Sequence, residues 1–386
     1  MTRWLALAIA IVSLFLASWI FFPAPTYFFL TFSVGAPEVS AWLILVSLVG
    51  LGVASVGVRT STVSQIAAAC CALALILAAT PFVRLPAALR RFNVAMRSLA
   101  TEPAAPLRSQ PLVIADLFRG VHSNAGNVRV THAIPFASPG GKPLTLEVYQ
   151  PIRRGRFPVI VQIYGGAWQR GEPTSFANFA AWIASAGYVV IAIDYRHAPA
   201  AHWPAQLDDV KLSLAWIRDH AAEYDGDVAN TVLMGRSAGA HLALLAAYTS
   251  EPIPVRGVIS YYGPTDLVDA YRNPPRPDPI HTRLTQETFI GGTPDQMSTQ
   301  YGEASPVSYA RPDLPPTLLV YGARDNIVES QYGARLAERL TSVGSPVAYL
   351  EIPWAGHAFD EVFGGPSSQI ALYYTERFLA HVTAVR

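Results

Sequence analysis

Thr231-Val232-Leu233-Met234-Gly235-Arg236-Ser237-Ala238-Gly239-Ala240-His241 is the stretch that decides how this chain folds. Thr231 to Met234 is a short, mostly apolar run that reads as a buried strand, and His241 to Tyr248 reads as a helix. The pentapeptide Gly235 to Gly239 therefore sits at a sharp turn from strand to helix. Such a turn strains the backbone at its centre and draws neighbouring backbone close on both sides, leaving no room for a Cβ two residues either side of the serine. It also pushes the Ser237 hydroxyl outward. An ordinary glycine-rich turn could carry the same letters, so the reading depends on what surrounds it.

Outward from this turn, apolar strands alternate with helices, as in a largely parallel sheet covered on both faces. Val128 to Ile134 and Leu144 to Tyr149 alternate like an initial antiparallel hairpin. Continuous apolar strands follow at 159–163, 189–193, 231–234, 255–260, 317–321 and 347–352. Helices fit at about 176–186, 206–220, 241–248 and 329–343, with a last one near 368–381. Between Pro264 and Pro312 the alternation lapses into a proline-rich stretch, which we read as an insertion over the site.

A serine hydroxyl is a poor nucleophile at neutral pH and needs a histidine to take its proton and a carboxylate to orient that histidine. Both are expected in loops at the carboxyl ends of later strands. The strand ending at Tyr321 is followed by Gly322-Ala323-Arg324-Asp325-Asn326, and the strand ending near Ile352 by Pro353-Trp354-Ala355-Gly356-His357. Taken singly, Asp325 could cap a helix and His357 could be a surface residue; their order after Ser237 makes them the candidate partners. Tyr164-Gly165-Gly166-Ala167-Trp168 follows the strand ending at Ile163, where a glycine-rich loop can turn amides inward. Gly165, Gly166 and the amide of Ala238 are the candidate oxyanion hole, and one such donor is worth about 2.7–4 kcal/mol of transition-state stabilisation.

With these motifs the chain resembles the α/β-hydrolases, specifically the hormone-sensitive-lipase-like and acetyl- and feruloyl-esterase-like serine esterases. That branch shows His-Gly-Gly-Gly-Trp, then Asp-Tyr-Arg-x-x-Pro, then Gly-x-Ser-Ala-Gly. Here the corresponding residues are Tyr164 to Trp168, Asp194-Tyr195-Arg196-His197-Ala198-Pro199, and Gly235 to Gly239, with His202 to Asp209 leading into the next helix. The resemblance covers roughly residues 140 to 382 and implies an eight-stranded, mostly parallel sheet, a Ser-His-Asp triad and no metal or organic cofactor. Tyr164 stands where the family has His, and Ala167 where it has a third Gly. Asp194 and Arg196 are expected to be structural, as are His197, His202, His241 and His281 unless they line the substrate site.

The first third of the chain has a different chemistry. Of 386 residues 51% are hydrophobic and only 14% charged, and three runs account for the excess: Trp4 to Phe22, Ala41 to Val58, and Val63 to about Val83. Each is long enough to span a hydrocarbon layer of roughly 30 Å as a helix. Two alternatives are helices buried in a soluble core and, for the first run, a cleaved signal peptide, although no small-x-small cleavage site follows it. Tyr27 to Val34 is too short to span. Gly50 and Ala54 offer a small-residue contact face between the second and third runs. Cys70 and Cys71 lie inside the third run, where we expect them to face lipid.

The sequence thus predicts about three transmembrane helices within residues 1–84, an interfacial segment and linker over 85–127 with Leu89 to Leu99 either along the headgroups or as an ordinary solvated helix, and a hydrolase domain over 128–386. Arg84, Arg90, Arg91 and Arg97 lie opposite Arg3 and Arg59, which favours a cytoplasmic hydrolase on a bacterial cell membrane. A net charge of +1 with no basic block argues against nucleic acid. The expected activity is hydrolysis of a small-molecule or lipid-like carboxylic ester. An amide or formamide hydrolase, an isoprenylcysteine methylesterase-like enzyme, and a binding protein on an inactive hydrolase scaffold are the alternatives.

Overall fold

The computed structural model describes residues 2–99, 108–121, 127–249 and 253–383, so 100–107 and 122–126 of the expected linker lie outside the described residues. One sheet forms the centre, built from β1 (Val128–Ala137), β2 (Leu144–Pro151), β3 (Phe157–Ile163), β4 (Val189–Ile193), β5 (Gly226–Arg236), β6 (Val255–Tyr261), β7 (Thr317–Gly322) and β8 (Val347–Ile352). Its spatial order is β1-β2-β4-β3-β5-β6-β7-β8. β1 pairs antiparallel with β2, β2 antiparallel with β4, and all later pairings are parallel. Parallel strands covered on both faces must be apolar at successive positions, and β4, Val-Val-Ile-Ala-Ile, is buried throughout. Together with the structural likeness reported below, this is the α/β-hydrolase fold.

The elements that carry the site meet at the carboxyl edge of the sheet. β3 and β5 are in register from Val159 opposite Thr231 to Ile163 opposite Gly235, so the Tyr164 loop and the Ser237 turn leave the sheet side by side. α8 (Ala238–Tyr248) begins immediately after Ser237 and is buried at every residue, which is why it is built from Ala, Leu and Gly with one His and one Tyr. α6 (Ala177–Ser185) follows β3 and α7 (Ala205–His220) follows β4, while α12 (Ser330–Ser342) packs on β7 and β8 and α13 (Pro366–Thr383) on β5, β6 and β7. The proline-rich stretch 264–312 holds three short helices, α9 (Leu267–Arg272), α10 (Thr282–Ile290) and α11 (Ser298–Glu303).

Among the described residues five helices precede the sheet: α1 (Thr2–Ser18), α2 (Tyr27–Glu38), α3 (Ser40–Ser55), α4 (Thr62–Arg97) and the single-turn α5 (Asp116–Arg119). α1, α3 and α4 pack as a bundle with small residues inside: Ala6, Ala10, Ala54, Ala67 and Cys71 are buried together. A Cβ on Gly50 would lie 2.5 Å from Cys71 Sγ, so the small-residue face is a close helix contact. Cys71 therefore points into the bundle and not toward lipid.

Three features depart from the sequence reading. α1 ends at Ser18, and Trp19 to Phe22 fold into a turn whose Phe21 carbonyl accepts a hydrogen bond from the Arg324 side chain. Tyr27 to Glu38 is a full helix that meets α3 at a bend of 80°, with Pro37 in its last turn withholding a backbone donor. α4 does not stop near Val83 but runs through Pro81 and Pro86 to Arg97. Its last turns pack on the sheet and α13, which offsets the two lost backbone bonds. Phe92 meets Tyr374 edge-on at 5.5 Å, Asn93 accepts from the Tyr374 hydroxyl at 2.9 Å, and Ser98 Oγ donates to the Val347 carbonyl at 2.7 Å. One face of the segment expected along lipid headgroups thus packs into the hydrolase core through Phe92 and Leu99, while Arg90, Arg91 and Val94 stay exposed. By length and composition, α4 is the one helix among the described residues able to cross a membrane, with the bent α2–α3 pair a second if counted as one span.

Candidate active site

Ser237 caps α8 with φ 52° and ψ −120°, a left-handed backbone that an L residue adopts only under constraint. The constraint comes from both sides. The Ser237 amide donates to the Tyr261 carbonyl on β6 at 2.9 Å, and the Ser237 carbonyl accepts the first bond of the helix, from the His241 amide at 3.0 Å. A Cβ on Gly235 would lie 2.2 Å from the Gly239 carbonyl oxygen, and one on Gly239 would lie 2.2 Å from that of Ile163. The spacing of the two glycines is therefore a steric requirement of the turn, as the sequence predicted.

Asp325 and His357 are brought to Ser237 by two interlocked loops. The amides of Ala323 and Arg324 donate to the carbonyls of Ile352 and Ala355, both at 2.9 Å, which ties the loop after β7 to the loop after β8. Asp325 Oδ1 accepts from the amides of Ile327 and Val328 at 2.8 and 2.9 Å. Its Oδ2 is left for His357 Nδ1, at 2.7 Å. The other ring nitrogen, Nε2, lies 3.0 Å from Ser237 Oγ. With the Nδ1 proton held by the buried carboxylate, the Nε2 lone pair faces the hydroxyl, the arrangement that can accept its proton.

The glycine loop lies against the turn. A Cβ on Gly165 would come within 2.7 Å of the Arg236 carbonyl oxygen, and Gly166, at φ 127°, would place one 2.1 Å from that of Arg170. No acceptor among the described residues takes the amides of Gly165, Gly166 or Ala238. Tyr164 lies beneath this loop and does not line the cavity. Its hydroxyl donates to Asp194 Oδ1 at 2.5 Å and meets His197 Nε2 at 2.8 Å, and its ring stacks on Tyr195. Burial pushes its pKa well above that of a free phenol, so it stays a neutral donor that anchors the loop. Asp194 is held in this anchor, and Arg196 is paired with buried Asp209 at 2.8 Å, so both are structural.

Of the other described histidines, none lines the cavity. His241 is buried, accepting from Trp168 Nε1 at 3.2 Å and donating to the Ala304 carbonyl at 2.6 Å. Burial lowers its pKa to about 4, so it is neutral near pH 7.

Two sets of site residues escaped the sequence reading. Arg236, the variable residue of the turn, is buried and forms an ion pair with Asp360, three residues beyond His357. Tyr262 donates to the other oxygen of Asp360, and its ring centre is 4.6 Å from that of His357. A buried arginine beside Ser237 signals a missing carboxylate, but nothing local says which one. The second set is on α2. A cavity of about 730 Å³ opens on Ser237 and His357, and Tyr27, Leu30, Thr31, Val34 and Gly35 form one of its walls. Pro264, Ile280 and Thr285 of the inserted stretch form another.

With this geometry in view, comparison with known proteins is decisive for the family. A model of the BD-FAE family matches residues 146–340, half of the chain. The chain belongs to the BD-FAE family of α/β-hydrolases. Among curated relatives in the family's neighbourhood, "Probable carboxylic ester hydrolase LipM" of Mycobacterium tuberculosis is 33% identical over 248 residues, covering 60% of this chain and 56% of LipM. Esterase LipQ of the same organism is 32% identical over 248 residues, covering 60% of this chain and 57% of LipQ. The chain thus spans a little over half the length of these curated relatives. A solved structure of a thermophilic esterase, Est2 of Thermogutta terrifontis, superposes with a TM-score of 0.55 at 22% identity, covering 68% of this chain and 98% of Est2. At that identity the likeness establishes the fold, and the family's chemistry has to be argued from the site.

Proposed function

We propose that the protein is a membrane-anchored serine esterase that hydrolyses carboxylic esters through an acyl-enzyme. The observation that carries this reading is the hydrogen-bonded chain from Ser237 through His357 to Asp325, opening onto a large cavity. Ser237 Oγ attacks the ester carbonyl carbon while His357 Nε2 takes the hydroxyl proton. The carbonyl oxygen becomes an oxyanion facing the amides of Gly165, Gly166 and Ala238. Its collapse breaks the bond to the alcohol, which leaves with the proton from His357. Water, deprotonated by the same nitrogen, then releases the acid and restores the serine. The similarity to LipM, a probable carboxylic ester hydrolase, and to the esterase LipQ supports an ester substrate.

Anchoring through residues 2–84 is supported by the way the bundle is turned inside out. Small residues fill its interior, while Ile11, Val12, Val49, Ile76 and Val83 are more than half exposed. In water such a surface would be an aggregation hazard; in lipid, small residues inside and large ones outside is the expected packing. Arg90 and Arg91 lie exposed on the end of α4 that packs on the hydrolase, which by the positive-inside rule favours a cytoplasmic catalytic domain.

Labelling with a fluorophosphonate tests the chemistry. We expect the wild type to be labelled and to hydrolyse nitrophenyl esters, and Ser237→Ala to lose labelling and on the order of 10⁴-fold or more in kcat. Absence of labelling in the wild type, or equal labelling in the variant, overturns the esterase reading.

A further inference from the structure

We propose that α2 is the selectivity wall of the site, and that it suits esters carrying a long apolar chain; the inference rests on the esterase reading above. Tyr27, Leu30, Thr31, Val34 and Gly35 recur at helical spacing and so form one face of α2, and all five line the cavity that holds Ser237 and His357. The opposite face is fixed to α1 and the turn that follows it: Phe29 stacks on Trp19 with ring centres 5.1 Å apart, and Phe32 meets Phe15 edge-on at 5.7 Å.

Both ends of the helix are clamped to the hydrolase. At the first turn the Arg170 guanidinium, from the glycine loop, sits over the Tyr27 ring at 4.9 Å. At the last turn buried Glu38 accepts from the Ser367 amide at 3.0 Å, and just before α2 the Ala24 carbonyl accepts from Asn326, next to Asp325, at 3.0 Å. α2 is therefore held in register with the proton-transfer residues.

The chemistry of the cavity is mainly apolar. Leu30 and Val34 contribute no polar atom beyond the backbone, and Trp168, Phe176, Ile280 and Val328 line the cavity with them. Its volume of about 730 Å³ falls in the range that houses drug-sized ligands, well beyond what an acetyl group fills. Each further methylene of a substrate chain buried here raises kcat/KM by up to about fourfold. Gly35 marks where that space begins. A Cβ there would meet nothing within 4 Å, so a larger side chain at this helical position enters the cavity without displacing a neighbour.

The test uses the full chain in detergent micelles and a series of nitrophenyl esters from acetate to laurate. In the wild type, kcat/KM should rise with chain length. Gly35→Leu should lower the ratio of kcat/KM for decanoate over acetate by about tenfold or more, and Leu30→Ala should move the preferred chain length upward. If both variants keep the wild-type chain-length profile, α2 does not select and the inference is overturned. A wild type that is neither labelled by fluorophosphonate nor active on any ester sinks the esterase reading instead, which is a separate result.

Discussion

Arg236 places a guanidinium in the interior directly beside Ser237, and a charge so buried has to be compensated. Burial disfavours its charged form, but the Asp360 carboxylate more than offsets this and holds its pKa above the ordinary value. The guanidinium also lies over the rings of Phe176 and Phe179, at 4.1 and 4.5 Å. Because Arg236 precedes Ser237 and Asp360 follows His357, the pair ties the nucleophile turn to the histidine loop. Asp360→Asn should cost about 3–5 kcal/mol in a urea titration, since it strands a buried cation. Replacing both partners, with Arg236→Met and Asp360→Leu, should recover most of that stability while kcat stays depressed. Full recovery of kcat in the double variant would mean that the pair contributes to folding alone. Ser237, Asp325 and His357 were legible in the sequence because each is written in a local pattern of strand, loop and glycine. Asp360 was not, because its role is set by a partner 124 positions away.

At the scale of elements, His241 joins three parts of the site that the sheet alone would leave independent: the nucleophile helix α8, the glycine loop through Trp168, and the end of α11 through the Ala304 carbonyl. Its folded pKa of about 4 lies below the ordinary value of 6.5, and this sets the sign of a pH effect. Above pH 6.5 the imidazole is neutral whether folded or unfolded, and it adds no pH dependence. As the pH falls from 6.5 toward 4, the unfolded chain takes up a proton that the folded site refuses, so stability declines, by at most ~1.4 kcal/mol per pH unit for one group. His241→Gln retains a donor and an acceptor but cannot titrate. The difference in urea midpoint between wild type and variant should therefore change between pH 7 and pH 4 and be flat above 7; a difference constant across that range would contradict a neutral buried imidazole. The strands of the hydrolase were readable because apolar runs buried on both faces announce themselves. The helices before them were readable as apolar but not in extent. Pro81 and Pro86 signal a break in α4 that long-range packing on β8 and α13 overrides, and the stripe of α2 has meaning only against a pocket assembled by loops more than 130 residues later.

Taken whole, the molecule changes its packing partners along a single helix. The first part of α4 packs with α1 and α3, and its outward residues are large and apolar; the last turns pack on the sheet and α13. Ile76 and Val94 illustrate the division, since both are exposed, 67% and 65%, and they lie on the same helix some 27 Å apart at 1.5 Å per residue. If the bundle is immersed in lipid, a charge at the first position is expelled from hydrocarbon at a cost of up to about 3 kcal/mol, whereas a charge at the second meets water and costs little. Ile76→Arg should therefore reduce the amount of folded enzyme recovered from carbonate-washed membranes, and Val94→Arg should leave it near the wild-type level. Were both helix ends in water, the two variants would behave alike and Ile76→Arg would improve solubility. The same arrangement couples the bundle to the pocket: α2 leaves the bundle at the 80° bend and lines the cavity onto which Ser237 opens, so a bundle held in lipid would also hold one wall of that cavity in place.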